Sequence, residues 1–154
     1  MRWRFPLAIL IVAILSQLVH TVGSFIGMKY YLLPEYFSVW SKLMMPEAGP
    51  PPTSFFLYSL LFGIIGGILL ALVYQIVEKS LLGKTRILKG LFFGLLVIMV
   101  AQVPGTLMMI LIINLPAFLI VSWFIEGCLI ALLSGIIFAK VLKPETFFSK
   151  LFNR

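Results

Sequence analysis

The residues of this sequence with the most chemical potential are polar side chains that interrupt long apolar runs. His20 lies in the first run, and Ser122 and Glu126 lie one helical turn apart in the last. An imidazole changes its charge near neutral pH, and a carboxyl group in apolar surroundings binds a proton or a cation. We take these side chains, with the amides and hydroxyls at similar positions in their runs, as a candidate midplane layer: Gln17, His20, Gln102, Thr106, Ser122 and Glu126.

The members of this layer share one depth if each run is a helix that crosses a membrane. At a rise of about 1.5 Å per residue, His20, Gln102 and Glu126 each lie about 12 to 17 Å below the same surface. A charge there costs at least about 2.5 kcal/mol, so Glu126 should be protonated or paired and should face protein or water. The pattern is equally typical of a proton or cation site and of a structural lock between helices. A third interpretation pairs Glu126 with a partner subunit.

Most other site chemistries lack their parts. The sequence contains five Glu residues, one His, one Cys (Cys128) and no Asp. A catalytic triad, a pair of hydrolytic carboxylates, a zinc or iron–sulfur cluster and a haem site with two His ligands all need more such residues. A single cysteine also excludes an intramolecular disulfide. We therefore predict no catalytic residue, no metal site and no cofactor.

The composition of the chain indicates a membrane protein. Of the 154 residues, 62% are hydrophobic and 11% are charged, against about 45–50% and about 25% in soluble domains. Apolar runs of 18 or more residues can each span a bilayer as a helix. The predicted fold class is an all-α polytopic membrane protein with four transmembrane helices arranged as two hairpins in a single membrane domain, 1–154. The predicted segments are spans 5–28, 54–77, 91–113 and 117–139, an outer loop 29–53, a cytoplasmic loop 78–90 and a cytoplasmic tail 140–154.

The basic residues predict the orientation of these spans. Ten of the twelve Lys and Arg residues flank the N-terminus, the 78–90 loop and the C-terminal tail, whereas only Lys29 and Lys42 lie in the outer loop. By the positive-inside rule, both termini face the cytoplasm, and the membrane is expected to be the cell membrane. The net charge of +7 then points to anionic lipids at the cytoplasmic face rather than to nucleic acid.

Two segments outside the spans are predicted to form short interfacial helices. In the outer loop, Pro34 can begin a helix that carries Phe37, Trp40 and Met44 at helical spacing. The C-terminal residues 144–154 carry aromatic and aliphatic residues four apart. The outer segment is interpreted first as an aromatic belt that anchors the bundle, and alternatively as a ligand lid. The C-terminal segment is interpreted as a surface anchor or a docking segment.

Small residues four apart mark the faces through which membrane helices pack. Two sets of four stand out, and they are expected either to close the bundle or to dock a neighbouring chain. The two sets are Ser59, Gly63, Gly67 and Ala71 in the second span, and Gly127, Ala131, Gly135 and Ala139 in the fourth.

These features favour a non-enzymatic integral membrane protein that acts as a homo-oligomer or as an accessory subunit of a membrane assembly. The expected partners are membrane lipids and either copies of the chain or other membrane subunits. The alternative is a small proton, ion or solute transporter or channel that uses the midplane layer around Glu126. A third hypothesis is a membrane enzyme that binds a lipid or a quinone through Glu126, His20 and interfacial aromatic residues.

Overall fold

The computed structural model describes residues 3–47 and 49–142, which are mainly helical and contain no β-strand. Within these residues, four helical rods are long and apolar enough to cross a membrane. The prediction of an all-α chain with four long apolar helices is therefore confirmed. The helices are α1 (Arg4–Tyr31), α2 (Thr53–Val77), α3 (Arg86–Val97), α4 (Val103–Ile112) and α5 (Ala117–Val141), and a π-helical segment (Ile98–Gln102) joins α3 to α4 in a single rod.

The helix ends differ from the predicted span limits where local hydrogen bonds extend a helix beyond its apolar run. The helix α3 begins at Arg86, five residues before the predicted span, because the Thr85 hydroxyl accepts a bond from the Leu88 N–H at 3.2 Å. This cap satisfies one of the free N–H groups of the first turn. Pro52, in an extended conformation, and Pro116, in a non-helical one, directly precede α2 and α5 and so set the starts of those helices near the predicted positions.

We call the end of the bundle where α1 ends and α2 begins the loop end, and the opposite end the tail end. At the loop end, Pro34 begins a 3-10 helix that extends only to Val39. The expected helix through Met44 was too long, because Trp40 adopts an extended conformation and its indole N–H donates to the Tyr31 carbonyl at 3.1 Å. The second predicted interfacial helix, 144–154, lies outside the described residues.

The main helix–helix contacts follow the order α2, α1, α5 and α3. The helix α1 packs against both α2 and α5, and α3 packs along the other side of α5, whereas α2 and α5 have little contact. Glycines permit the closest approaches. On the α2 side, a Cβ built on Gly67 would lie 3.3 Å from Cγ2 of Ile9. On the α3 side the helices are closer still, since a Cβ on Gly94 would lie 2.6 Å from Cα of Leu132.

The tail end contains the larger of two hydrophobic cores. The rings of Tyr74, Phe93 and Phe138 pack against one another, with 5.2 Å between the centroids of Tyr74 and Phe93. Ile9 and Val12 of α1 are buried in the same core. Because these side chains come from α1, α2, α3 and α5, all four rods are held together at the tail end.

The α4 part of the third rod packs far less closely than α3. Each of the ten residues of α4 is at least partly exposed, and α4 has few contacts with α5. The change coincides with the π-helical segment, in which the Val103 N–H bonds to the Ile98 carbonyl five residues back. Pro104 follows directly and has no N–H to continue the helical bonding pattern. The irregular segment therefore accommodates the proline, and beyond it α4 is largely unpacked.

Candidate functional site

The centre of the candidate site is a contact between α1 and α5. Nδ1 of His20 lies 2.8 Å from Oε2 of Glu126, within hydrogen-bond and ion-pair distance. Glu126 is only 8% exposed, whereas the side chain of His20 is 49% exposed. The contact therefore joins a buried carboxyl group to an imidazole that remains accessible. We call these two residues the His20–Glu126 pair.

The carboxyl group of Glu126 fits between the helices because the facing residue on α1 is Gly23. A Cβ on Gly23 would overlap the carboxyl group of Glu126. One turn along, Gly27 accommodates Leu119 in the same way, with 3.0 Å from a built Cβ to the leucine Cδ2. The sequence marks Gly23 and Gly27 as packing residues four apart, but it carries no signal that Gly23 makes room for an acid.

The two oxygens of Glu126 have different surroundings. Oε2 contacts His20, whereas Oε1 is buried and has no hydrogen-bond partner among the described residues. A buried carboxylate is costly unless it is neutralised, and a nearby imidazole can supply the proton or the positive charge. The pair can therefore hold one proton, either on the imidazole as an ion pair or on the carboxyl group as a neutral pair.

The other amides of the predicted layer lie apart from the pair. The Gln102 side chain packs over the backbone of Gly127, so it reaches α5 next to Glu126 but on a neighbouring face. Gln17 donates to the Thr21 hydroxyl of its own helix at 3.5 Å.

The hydroxyl residues of the layer also do not join the pair. Ser122 donates to the Leu119 carbonyl at 2.9 Å, and Thr106 is a half-buried residue of the loosely packed α4. Such local bonds are typical of serine within helices, where the hydroxyl returns to the preceding turn. Among the described members of the layer, the structure thus brings only His20 and Glu126 into direct contact.

A crevice between α1 and α2 leads from the loop end to His20. We call it the polar crevice because five hydroxyl or imidazole side chains line it, while the rest of its wall is apolar; its volume is about 400 Å³. Ser41 lines it at the loop end, and Ser16, His20, Tyr58 and Ser59 line it at greater depth. These side chains bind water through hydroxyl groups or an imidazole. The exposed face of His20 is therefore directed to a space that can hold water.

A second opening lies on the other side of α1, between α1 and α5. This apolar groove has a volume of about 490 Å³. Its walls are aliphatic and aromatic except near Gly23, Ser122 and Glu126. The pair consequently borders two spaces: His20 lines the polar crevice, which carries hydroxyl side chains, and Glu126 lines the apolar groove. The main wall residues are Leu18, Val22, Ile26, Phe118, Val121, Ile125 and Leu129.

An aromatic cap covers the loop end of the α1–α5 contact. Tyr31, Trp40 and Trp123 pack ring against ring, at 5.3 Å between Tyr31 and Trp40 and 6.2 Å between the two tryptophans. The Trp123 indole N–H donates to the Tyr31 hydroxyl. The buried Leu119 belongs to the same cluster and lies two helical turns from Glu126. Sequence spacing indicates the aromatic character of the outer loop, but it does not indicate that Trp123, which is 92 residues away, meets Tyr31.

The two ionisable groups do not form part of a larger set of metal ligands. Within residues 3–47 and 49–142, no group of three His, Cys, Asp or Glu side chains is placed to hold a metal ion. Comparisons of the chain with protein-family models, with curated proteins and with solved structures find no significant match. The chemistry of the site therefore has to follow from its own residues.

Proposed function

We propose that the protein is an integral membrane protein that exchanges protons or small cations at the His20–Glu126 pair, and so acts as a small transporter or channel rather than as an enzyme. One observation carries this proposal. A buried carboxyl group lies 2.8 Å from a half-exposed imidazole that lines a polar crevice. A proton-exchanging site needs both a group held in low dielectric and a path by which protons reach it.

The exposure of His20 favours this function over a purely structural lock. A hydrogen bond between membrane helices contributes only about 0.6 kcal/mol on average, whereas a polar group facing lipid costs more. An imidazole that is 49% exposed at this depth must therefore meet water or a polar partner. The hydroxyl groups along the polar crevice support water as that neighbour.

The proposed orientation gives the site a direction. The four spans are taken as two hairpins, and the positive-inside rule puts both termini in the cytoplasm and the loop end outside. The polar crevice then opens to the outside, and the aromatic core of Tyr74, Phe93 and Phe138 closes the cytoplasmic side. Transport would require a second conformation in which the pair opens to the cytoplasm. A protein can populate two such conformations in equilibrium.

Proton flux into liposomes tests the proposal. The purified protein would be reconstituted with a pH-sensitive dye inside, and a potassium gradient with valinomycin would drive the flux. Glu126→Gln should reduce the flux at least tenfold, because the amide keeps the shape but holds no exchangeable proton. Glu78→Gln, which changes a carboxyl group near the tail end, is the matched control. Flux that is unchanged in Glu126→Gln contradicts the proposal.

The second candidate function is that of a subunit in a membrane assembly, either of identical chains or with other proteins. The observation that favours it is the loosely packed α4, whose residues Leu107, Met108 and Leu111 are 53–80% exposed. By contrast, Gly67, Gly94 and Gly135 contact helices of the same chain, so these small residues do not mark a surface for a partner. Native mass spectrometry from mild detergent tests this function, and a single-chain mass throughout would contradict it.

A further inference from the structure

We propose that the apolar groove between α1 and α5 binds a lipophilic ammonium ion, which exchanges with the proton held by the His20–Glu126 pair. This inference rests on the proposed function, because it names the class of cation that the same acid would take. The groove and the polar crevice are lined by different residues of α1. A ligand in the groove and water in the crevice can therefore reach the pair from different sides.

The shape and the lining of the groove select an apolar ligand. Its volume of about 490 Å³ falls within the range of about 300–1,000 Å³ that is usual for small-molecule sites. Leu18 and Val22 of α1 face Ile125 and Leu129 of α5 across it. All four side chains can stabilise a ligand only through dispersion contacts and through the burial of apolar surface. The body of a ligand bound there must consequently be hydrocarbon.

The charge of the groove selects a cation with an N–H group. Among the described residues that line it, Glu126 is the acidic one, and its Oε1 is buried without a hydrogen-bond partner. An ammonium group that reaches the carboxylate supplies the missing donor and also neutralises the negative charge. A charge-assisted bond of this kind is roughly twice as strong as a neutral one. An alcohol of the same shape would supply the donor but not the charge.

Gly23 supports this assignment because it allows the carboxyl group of Glu126 to lie at the α1 edge of the groove. Gly23 and Glu126 both line the groove, and the carboxyl group occupies the space of the absent Cβ. A larger residue at position 23 would displace the carboxyl group from this edge. The same glycine therefore seats Glu126 beside His20 and places it at the edge of an apolar space.

Charge balance fixes the stoichiometry of the exchange. The proposed exchange starts from a pair that carries one proton between the imidazole and the carboxyl group. When the ammonium ion takes the carboxylate, the imidazole releases that proton through the polar crevice, and the site is neutral again. One proton should thus leave for each ligand that binds. The affinity should rise by up to tenfold per pH unit while the free pair remains protonated.

Isothermal titration calorimetry with the full chain in phosphatidylcholine nanodiscs tests this inference, with empty nanodiscs correcting for partitioning. The probe is 4-phenylbutylamine, and 4-phenylbutanol is its uncharged counterpart. We expect saturable binding of the amine and at least tenfold weaker binding of the alcohol. Repeating the amine titration in buffers of different ionisation enthalpy should show that one proton is released for each amine bound. Equal affinity of amine and alcohol would overturn the inference.

Variants locate the binding. Glu126→Gln should weaken amine binding at least tenfold, and so should Val22→Trp, which puts a large ring into the groove. Ile14→Trp changes an exposed residue of the same helix outside the groove and is the matched control. Amine binding that Val22→Trp leaves unchanged would overturn the groove as the site. Proton flux that depends on Glu126 without any amine binding would overturn this inference while the proposed function stands.

Discussion

The carboxyl group of Glu126 occupies the space that a side chain on Gly23 would fill. The acid on α5 and the glycine on α1 are 103 residues apart in the chain, yet each restricts which side chain fits at the other position. The glycine allows the acid to reach His20, which lies one turn away on α1, at 2.8 Å. A deep carboxyl group is thus seated by the absence of a side chain as much as by the presence of a partner.

The first prediction concerns this seat. Gly23→Ala should push the carboxyl group away from His20, because the new Cβ would overlap it. Overpacking of this kind typically costs about 1–3 kcal/mol. We expect a lower melting temperature in detergent and a reduced proton flux.

Gly66→Ala is the matched control, since a Cβ built on Gly66 has no atom within 4 Å among the described residues. Alanine also favours a helix over glycine by about 1 kcal/mol, so this variant should be as stable as the parent or more stable. Equal behaviour of the two variants would mean that Gly23 does not seat Glu126.

The second prediction concerns the proton shared by the pair. His20→Ala removes the described partner of Oε2 and leaves the buried carboxyl group without a basic neighbour on α1. A buried charge that has no partner is costly. We expect the infrared band of a protonated carboxyl group to grow in His20→Ala at neutral pH, relative to the parent.

The double variant His20→Ala, Glu126→Gln identifies the source of that band, because it should lack the band entirely. If the band persists in the double variant, another carboxyl group causes it. If the band does not grow in His20→Ala, the imidazole does not determine the charge of Glu126, which contradicts the prediction.

The four helices could be predicted from the sequence because the length of an apolar run indicates whether a segment can span a bilayer. Counting residues from the ends of the spans also put His20 and Glu126 at one depth. Depth could not separate them from Gln102, which the structure places over Gly127 instead. Contact depends on how each helix is rotated about its axis, and close glycine contacts such as Gly94 against Leu132 determine that rotation.

The loop end shows a second limit of sequence reasoning. Helical spacing predicted a helix from Pro34 to Met44, but the 3-10 helix ends at Val39. The cause is a tertiary contact, since Trp40 packs against Tyr31 and Trp123. Local periodicity cannot anticipate a partner that lies far away in the chain.

The third prediction compares two glycines of the small-residue sets. Gly135 meets the backbone of Gly90, which cannot move aside, whereas Gly67 meets Ile9 at 3.3 Å or more. Gly135→Ala should therefore force α3 away from α5 and lower the melting temperature strongly. Gly67→Ala should have a small effect because a side chain can shift by a few tenths of an ångström. Thermal unfolding in detergent distinguishes the two, and equal losses would contradict the difference in contact.

The fourth prediction is the orientation that the proposed function requires. Cysteine probes at Ser41 and Ser80, both exposed, would be placed in a Cys128→Ser background. Because ten of the twelve Lys and Arg residues belong to the N-terminus, the 78–90 loop and the C-terminal tail of the sequence, the positive-inside rule predicts that Ser80 faces the cytoplasm and Ser41 the outside. An impermeant maleimide added to intact cells should label Ser41→Cys at once and Ser80→Cys only after lysis. The reverse pattern would place the polar crevice on the cytoplasmic side, so His20 would exchange protons with the cytoplasm instead of the outside.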